Sequence, residues 1–564
     1  MYRNSAAGKR LIKLVEAFGS DGFEIGKTVT YNGRLGVIAE SRTAVNYDTK
    51  LPKKAYYLEG NAYETGFLMG SLAEAEISRM ALEFANKVVF SFIGSKLLEK
   101  MTVIQEALIK LLYNLTKETW EQLPEEIRDE IRGVLDGCKS RNSNTKVDLD
   151  HLVVLNAGID ILCSRIYTGV LKRGVKGLEP DDLRIPFMCN AFTVCGKSAG
   201  NGFYFGRDFM FPTAGVFQEI AAMVIYNPAG AGRDAAGRDH VPHISITAPG
   251  MVGSISVMNS EGVALGVNMS PGANCDTRNI GVNSLLLTRL CAAHCRNAME
   301  AARYMSELPR GVAWNYIIAD GKNNLSCAAE AGASGRRPDF TRFPAEEYRP
   351  FLPDHEFIKE HMNLPYKNGI MFRWNNYKYP EEYLKFNEGL WEHYNKAHST
   401  SKAINEDAFN TGGYINRSGE TNCPSSYYFA PQREESDDVL IVGNNYILPE
   451  MRYFAMSGWL EKILEKSIND LQWRYDDLNA LVLDTITEKG TIGFEDARKI
   501  IGFLTPDGKN PGYYNDNPRS KDGAEIRIEG CDSVFDLKNM IVESHYGYYR
   551  DEWVRLSLSK YANI

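Results

Sequence analysis

The stretch MCNAFTVCGKSAGNGFYFGRDF, residues 188–209, decides how the rest of the chain is read. Strand-forming residues fill 188–195 and 203–209, and Gly and Asn residues between them mark a turn around 198–202, the pattern of an antiparallel hairpin. Folding the second run back on the first brings Arg207 and Asp208 close to Cys189. A free thiol titrates near ~8.5, and an adjacent guanidinium favours its thiolate form. The hairpin alone leaves a plainer account open, in which Cys189 is a small buried residue and Arg207 pairs with Asp208 or another carboxylate.

Downstream of the hairpin the sequence continues as short apolar strands: EIAAMVIYNP, HISITAPG, GSISVMN and GVALGVNM, separated by turn residues. Helical periodicity returns in NSLLLTRLCAAHCRNAMEAARYMSEL, residues 283–308, followed by the strands AWNYIIAD and LSCAAEAG about a turn that starts at Asp320 and Gly321. Sheet, helix and sheet in succession predict a layered α+β fold. Residues 335–438 are dense in aromatics, among them Phe340, Tyr348, Phe351, Tyr366, Phe372, Trp374, Tyr377, Tyr379 and Trp391, without a period. They read as a surface insertion with its own small core, or as a lid over an apolar pocket. A buried strand in DVLIVGNNYILPEMR and a helix in SINDLQWRYDDLNALV, which carries Arg474, follow.

Upstream, residues 61–163 show apolar spacing of three and four, so residues 1–188 are expected to be a mainly helical N-terminal region. The Gly-, Pro- and charge-rich stretch 168–187 ends the period and predicts an exposed loop just before Cys189. The expected division is therefore 1–188 and 189–564.

A net charge of -8 supplies no basic field for a phosphate backbone, which speaks against nucleic acid as a partner. No apolar run reaches the ~20 residues a membrane-spanning helix needs. The first twenty residues lack the apolar core of a signal peptide, so a cytoplasmic setting is expected. The ten cysteines show no CxxC spacing. Cys291, His294 and Cys295 lie within a periodic apolar helix and are expected to pack rather than to bind metal; neither metal nor cofactor is expected.

CNAFTVCGKSAGNGFYFGRDF, MNSEGVALGVNMS, the helix from Asn283, WNYIIADGKNNLSCAAEAG and VGNNYILPEM stand in the order seen in the acyl-CoA:isopenicillin N acyltransferase family. The chain resembles that family, the C45 peptidase type, which is grouped with choloylglycine hydrolases and penicillin V acylases among the N-terminal-nucleophile hydrolases. YLEGNAYETGFLMG, residues 57–70, resembles the start of the family's propeptide. The resemblance implies a four-layer αββα core and autocatalytic cleavage of the Met188–Cys189 bond. It implies that the freed α-amine of Cys189, a group titrating near ~7.7–8.0, is the base for its own thiol. The thiolate would attack a linear or cyclic amide and form a thioester, released by water or by a second amine, with an acyl-CoA as a possible co-substrate. By position, Arg207 matches the arginine beside the nucleophile, Asn268 and Asn444 match amide-bearing positions at the oxyanion or the amine, and Arg474 matches a later arginine. The family's acid three positions after the arginine is Met210 here, with Asp208 as the substitute, and Met188 stands where glycine is usual. A homo-oligomer is compatible with the sequence, although no sequence feature points to one.

Two other accounts are carried forward. GKSAG at 196–200 matches the G-x-S-x-G elbow of a serine esterase with Ser198 as nucleophile, although the strand that follows speaks for a turn. A catalytically silent, uncleaved relative that binds a ligand is the other. GAGRDAAG, from Gly230, leads into a strand rather than a helix and reads as a hairpin tip.

Overall fold

The computed structural model describes residues 6–91, 112–115, 117–173, 188–228, 230, 232–233, 237–270, 275–334, 368–376, 436–444, 446–448, 451, 470–503, 528–549 and 551–564. Strands are numbered along the chain as β1 (Phe23–Tyr31), β2 (Arg34–Val45), β3 (Pro52–Glu59), β4 (Met188–Cys195), β5 (Phe203–Pro212), β6 (Ala222–Asn227), β7 (His243–Thr247) and β8 (Ser256–Asn259). They continue as β9 (Val263–Met269), β10 (Trp314–Asp320), β11 (Leu325–Ala331), β12 (Ile370–Trp374), β13 (Val439–Val442), β14 (Ile528–Asp536), β15 (Ile541–Ser544) and β16 (Val554–Ser557).

Two sheets result. The larger runs β1-β2-β3-β6-β7-β8-β9-β10-β11-β12, and the smaller runs β13-β4-β5-β14-β15-β16. From β6 to β12 every neighbour is antiparallel, as the run of hairpins in the sequence predicts, and the turn at Asp320 is held by its Oδ1 accepting from Lys322 and Asn323 backbone amides. The decisive hairpin is present with Cys189 opposite Phe209 and Ala191 opposite Arg207. Alternation along β4 gives its two faces different partners. Cys189 and Ala191 join the core shared with the large sheet, whereas Phe192 and Val194 join a second core with Tyr475, Leu478, Val482 and Ile501 of helices Asp470–Lys489 and Phe494–Phe503. Helices Ser284–His294 and Ala298–Glu307 pack on the large sheet. They divide the single helical segment expected at 283–308, because the chain turns extended at Cys295 and restarts with Asn297 accepting from the Glu300 amide.

Two corrections concern the outer parts. The N-terminal region is not mainly helical throughout: residues 23–59 form β1–β3, and β3 pairs in parallel with β6, so this segment is part of the large sheet. Alternating burial in β1 and charged residues in all three strands dilute their apolar signal. Within the aromatic segment, Phe372 and Trp374 lie on β12, the edge strand of the large sheet, rather than on a separate insertion. The other aromatics named there lie outside the described residues. The C-terminal strands β14–β16 complete the small sheet.

The helical part of the N-terminal region is held by glycine. Helices Ala62–Leu72 and Glu125–Arg141 cross so closely that a Cβ on Gly66 or Gly70 would stand 2.1 or 2.2 Å from the carbonyl oxygens of Glu130 and Val134. Reciprocally, a Cβ on Gly133 or Gly137 would stand 2.2 Å from those of Tyr63 and Phe67. Backbone cannot yield as a side-chain tip does, so Gly70→Ala must part the two helices. We expect it to lower stability by about 1–3 kcal/mol, the usual range for overpacking, with little change in urea m-value; equal denaturation midpoints for variant and parent would refute this.

Candidate active site

The amide nitrogen of Cys189, 0% exposed at the second position of β4, donates to Asn444 Oδ1 at 2.5 Å. The Asn444 amide group donates in turn to the carbonyl of Met269, the last residue of β9, at 2.7 Å. One carboxamide therefore links Cys189 of the small sheet to the large sheet. Asn444 occupies a loop that is itself fastened. Asn268 Nδ2 donates to the carbonyls of Val442 and Gly443 at 3.2 and 3.1 Å, and Asn315 Nδ2 reaches Gly443 at 3.4 Å. Beyond Asn444, the backbone amides of Ile447 and Leu448 donate to the buried carboxylate of Glu330, and the Tyr446 hydroxyl donates to Ala331.

Arg207 stands beside this group. Its side chain crosses from β5 to the large sheet, where Nη1 donates to the Ile255 carbonyl at 3.0 Å and to Ser256 Oγ at 3.1 Å, and Nη2 donates to the Val267 carbonyl. The guanidinium also lies 5.0 Å from the Phe209 ring centroid. Complete burial lowers the Arg207 pKa to about 10, opposed by the negative potential of Cys189 and Asp208, so the group stays charged at neutral pH. Burial pushes the Cys189 thiol up. Arg207 is the largest influence in the other direction, followed by the Met269 backbone and the Asn444 side chain, while Asp208 raises it further. The thiol is thus held neutral, with a cation and two hydrogen-bonding groups placed to favour its ionised form.

The expected residues divide into three sets. Cys189, Arg207, Asn268 and Asn444 converge between the sheets. Asp208, next to Arg207 on β5, points the other way: its Oδ1 accepts from the Tyr549 hydroxyl at 2.7 Å and its Oδ2 from Asn190 Nδ2 at 3.4 Å. Arg474 lies on helix Asp470–Lys489, with its side chain outside the described residues. Ser198 sits in the short 196–199 turn between β4 and β5. Its amide donates to Asp438 Oδ2 and its carbonyl accepts from Ile492, so it is not on an elbow that opens a helix. Asn268 has both amide contacts turned to the Asn444 loop, which makes it a positioning group there; its Oδ1 is buried and meets no hydrogen-bond partner among the described residues.

Gly266, Tyr549 and Glu330 were not named from the sequence. Gly266 carried a signal: a glycine inside GVALGVN marks close approach by another group, and its absent side chain leaves the space where Arg207 Nε lies 2.4 Å from an ideal Cβ position. Tyr549 and Glu330 act from 341 residues and over 110 residues away along the chain, which no local pattern reveals.

An apolar cavity adjoins the group. Phe209 and Ile255, which flank Arg207, form part of its wall, with Phe84, Val88, Leu155 and Leu162 contributed by helices that precede Cys189 in the chain. Trp314 and Ser284 also line it, and both donate to a buried carboxyl, Asp160, at 2.8 Å each. Ser284 holds φ at +39°, a strained value for a residue with a side chain.

The family model for acyl-coenzyme A:6-aminopenicillanic acid acyl-transferase matches residues 237–341, a stretch that holds β7 to β11 and Asn268. The resemblance to this acyltransferase family drawn from the sequence motifs is shown there; Cys189, Arg207 and Asn444 lie outside the matched stretch. An uncharacterized protein of Archaeoglobus fulgidus is 27% identical over 547 residues, covering 95% of this chain and 69% of its own length. A cysteine-to-alanine mutant and an arginine-to-leucine variant of the conjugated bile acid hydrolase from Clostridium perfringens superpose with a TM-score of 0.30 at 8% and 9% identity, over 66% of this chain and 93% of theirs. No helix among the described residues is long and apolar enough to cross a membrane.

Two outcomes are expected. Gly266→Ala, by moving the guanidinium, lowers thiol reactivity and turnover more than stability; thiol labelling at the parental rate in the folded variant would contradict that. Burial raises the Asp160 pKa to about 7, against the lowering effect of Ser284 and Trp314. A carboxyl whose folded pKa exceeds its unfolded value near ~3.9 stabilises the fold fully below ~4 and loses that contribution as pH rises through about 7. Stability measured by urea titration therefore falls more between pH 4 and pH 7 in the parent than in Asp160→Asn, and parallel pH profiles would disprove the assignment.

Proposed function

We propose that the chain is an amidohydrolase or acyltransferase that cleaves its own Met188–Cys189 bond and then uses the Cys189 thiol on an amide with an apolar acyl group. The observation that carries this reading is the hydrogen bond from the Cys189 amide nitrogen to Asn444 Oδ1. The nitrogen that would become the α-amine already meets an acceptor, which suits an N–H before cleavage and an ammonium or amine after it. The two sheets with helices beyond them are read as the four-layer αββα core of N-terminal-nucleophile hydrolases, with residues 1–188 as the propeptide-derived chain.

Cleavage begins with attack of Cys189 Sγ on the Met188 carbonyl carbon; the C–N bond breaks, the nitrogen takes the thiol proton, and a thioester forms. Water then hydrolyses the thioester, leaving a carboxylate on Met188 and a free α-amine and thiol on Cys189. In turnover the α-amine accepts the thiol proton, the thiolate attacks the substrate amide, and the protonated amine passes its proton to the leaving nitrogen. Arg207 stabilises the thiolate, and Asn268 keeps the Asn444 loop in register. Water or an acceptor amine resolves the acyl-enzyme, which separates hydrolysis from acyl transfer. The cavity walled by Phe84, Leu162, Phe209 and Ile255 suits an apolar acyl part, which gains about 25 cal/mol for each Å² of apolar surface buried.

Intact mass and N-terminal sequencing of the purified protein test the first step. The expected product is a fragment starting Cys-Asn-Ala-Phe, with Cys189→Ala remaining a folded single chain without activity. An intact parental chain that no thiol-acylating reagent labels would overturn the reading. Given cleavage, Asn444→Ala should lower turnover by roughly 10²–10³-fold, the usual effect of losing one preorganised polar group at an acyl-transfer site.

A further inference from the structure

Away from Cys189, three side chains from distant parts of the sequence meet. Glu126 lies in the first turn of helix Glu125–Arg141, His294 ends helix Ser284–His294, and His240 lies in the loop leading to β7. One ligand atom from each lies within 4.8 Å of the other two. His294 Nε2 and Glu126 Oε1 are 2.7 Å apart, and the two imidazole rings stand 4.5 Å apart at 71°.

An ion pair between Glu126 and His294 accounts for the 2.7 Å contact and for nothing else in this cluster. It does not call for a second imidazole 4.5 Å from the first. Nor does it explain His240 Nε2, which is buried and meets no hydrogen-bond partner among the described residues. His240 is held in place by other means: its backbone amide donates to the Gly232 carbonyl at 2.9 Å, its ring donates a hydrogen bond to the Arg233 backbone carbonyl, and Gly232 leaves room where a Cβ would stand 2.4 Å from Nδ1. A ring fixed through backbone contacts with one nitrogen left over is how ligating histidines are oriented. Tyr304 stacks on His294 with centroids 5.3 Å apart, and the nearby Arg289 is turned to Glu130 at 3.4 Å.

The geometry points to a divalent transition-metal site formed by Glu126, His240 and His294, with zinc the best fit. Two imidazoles and one carboxylate are a zinc ligand set, with water in the fourth place. Bonds of ~2.0–2.2 Å in tetrahedral arrangement separate ligand atoms by roughly 3.3 Å, within the spread seen here, so closure needs only small side-chain shifts. The ion would tie the N-terminal helix Glu125–Arg141 to two segments that follow Cys189. The site is independent of the proposed amide chemistry.

The test uses the full chain, stripped with a chelator and desalted, then titrated with Zn(II) by calorimetry and with Co(II) by visible absorption. The parent is expected to bind one equivalent and to gain a zinc-dependent rise in melting temperature. His240→Ala, His294→Ala and Glu126→Gln should each weaken binding at least ~10-fold and lose that rise. An ion pair alone predicts instead that His294→Ala lowers stability without metal, that His240→Ala does nothing, and that zinc changes neither. No stoichiometric binding by the parent, or binding unchanged in the variants, would overturn the site. Glu126→Gln keeps the side-chain volume and makes the same discrimination if a histidine variant does not fold.

Discussion

A guanidinium held between two sheets, with no carboxylate paired to it among the described residues, is the constraint on which the rest of the structure depends. Arg207 is completely buried, and its nearest described acceptors are two backbone carbonyls and one hydroxyl. Burying a charge is unfavourable by several kcal/mol unless polar groups replace the lost water. Those groups come from Ile255, the residue before β8, and from β8 and β9, so the large sheet can satisfy Arg207 only while its strands lie at this distance and register over β5. Gly266 belongs to the same constraint, since a side chain there would occupy the position of the guanidinium. The gain is chemical: a fixed cation in a dry space acts on the Cys189 thiol far more strongly than it would in water.

The contacts that align the sheets are the same contacts that build the site. Asn444 joins β4 to β9, Asn268 and Asn315 join neighbouring strands β9 and β10 to the Asn444 loop, and Thr193 and Ser326 share a hydrogen bond of 2.7 Å between β4 and β11. Arg373 on β12 repeats the theme by donating to the Ile441 carbonyl of β13 at 2.6 Å. Each is a buried polar contact whose loss would strand a partner in a dry interface. Asp208 is excluded from this set by a rule of the strand: adjacent residues face opposite sides, so Arg207 and Asp208 cannot both face Cys189's partners. Its carboxylate is instead met by Tyr549 and Asn190 on the helix-covered face, and reaches Arg207 and Cys189 only through its charge.

The hairpin at 188–209 and the strands through 332 were legible because turn residues and β-branched or aromatic runs alternate there with little interruption, and a buried sheet tolerates almost nothing else. The hairpin register brings both Arg207 and Asp208 near Cys189, and it is the facing of alternate strand residues in the fold that separates them. What escaped is non-local. β1 to β3 alternate exposed and buried positions with charged residues among them, so their membership of the large sheet depends on a parallel pairing with β6, a strand more than 160 residues on. Glu126, His240 and His294 are likewise unremarkable separately. The sequence drew His294 toward Cys291 and Cys295, which share its helix, whereas the fold turns it to a glutamate from another helix and a histidine from a loop.

The same parallel pairing bears on what a cut after Met188 would do. Five residue pairs join β3 to β6 across the proposed cleavage point, and the buried Lys53 amino group meets both Asp551 and the Tyr546 carbonyl near the far end of the chain. Asn46 donates to the Gln218 carbonyl, Tyr548 donates to Asp48, and Tyr561 donates to Asp21. Severing one peptide bond removes none of these, and the cavity beside Phe209 takes part of its wall from Phe84, Val88, Leu155 and Leu162. A detached N-terminal segment would leave both a sheet edge and that apolar wall open to water, a state disfavoured by the loss of apolar burial on each side. The two pieces therefore gain more by staying together than by separating. The N-terminal part would then remain a standing wall of the apolar cavity beside Phe209 after such a cut.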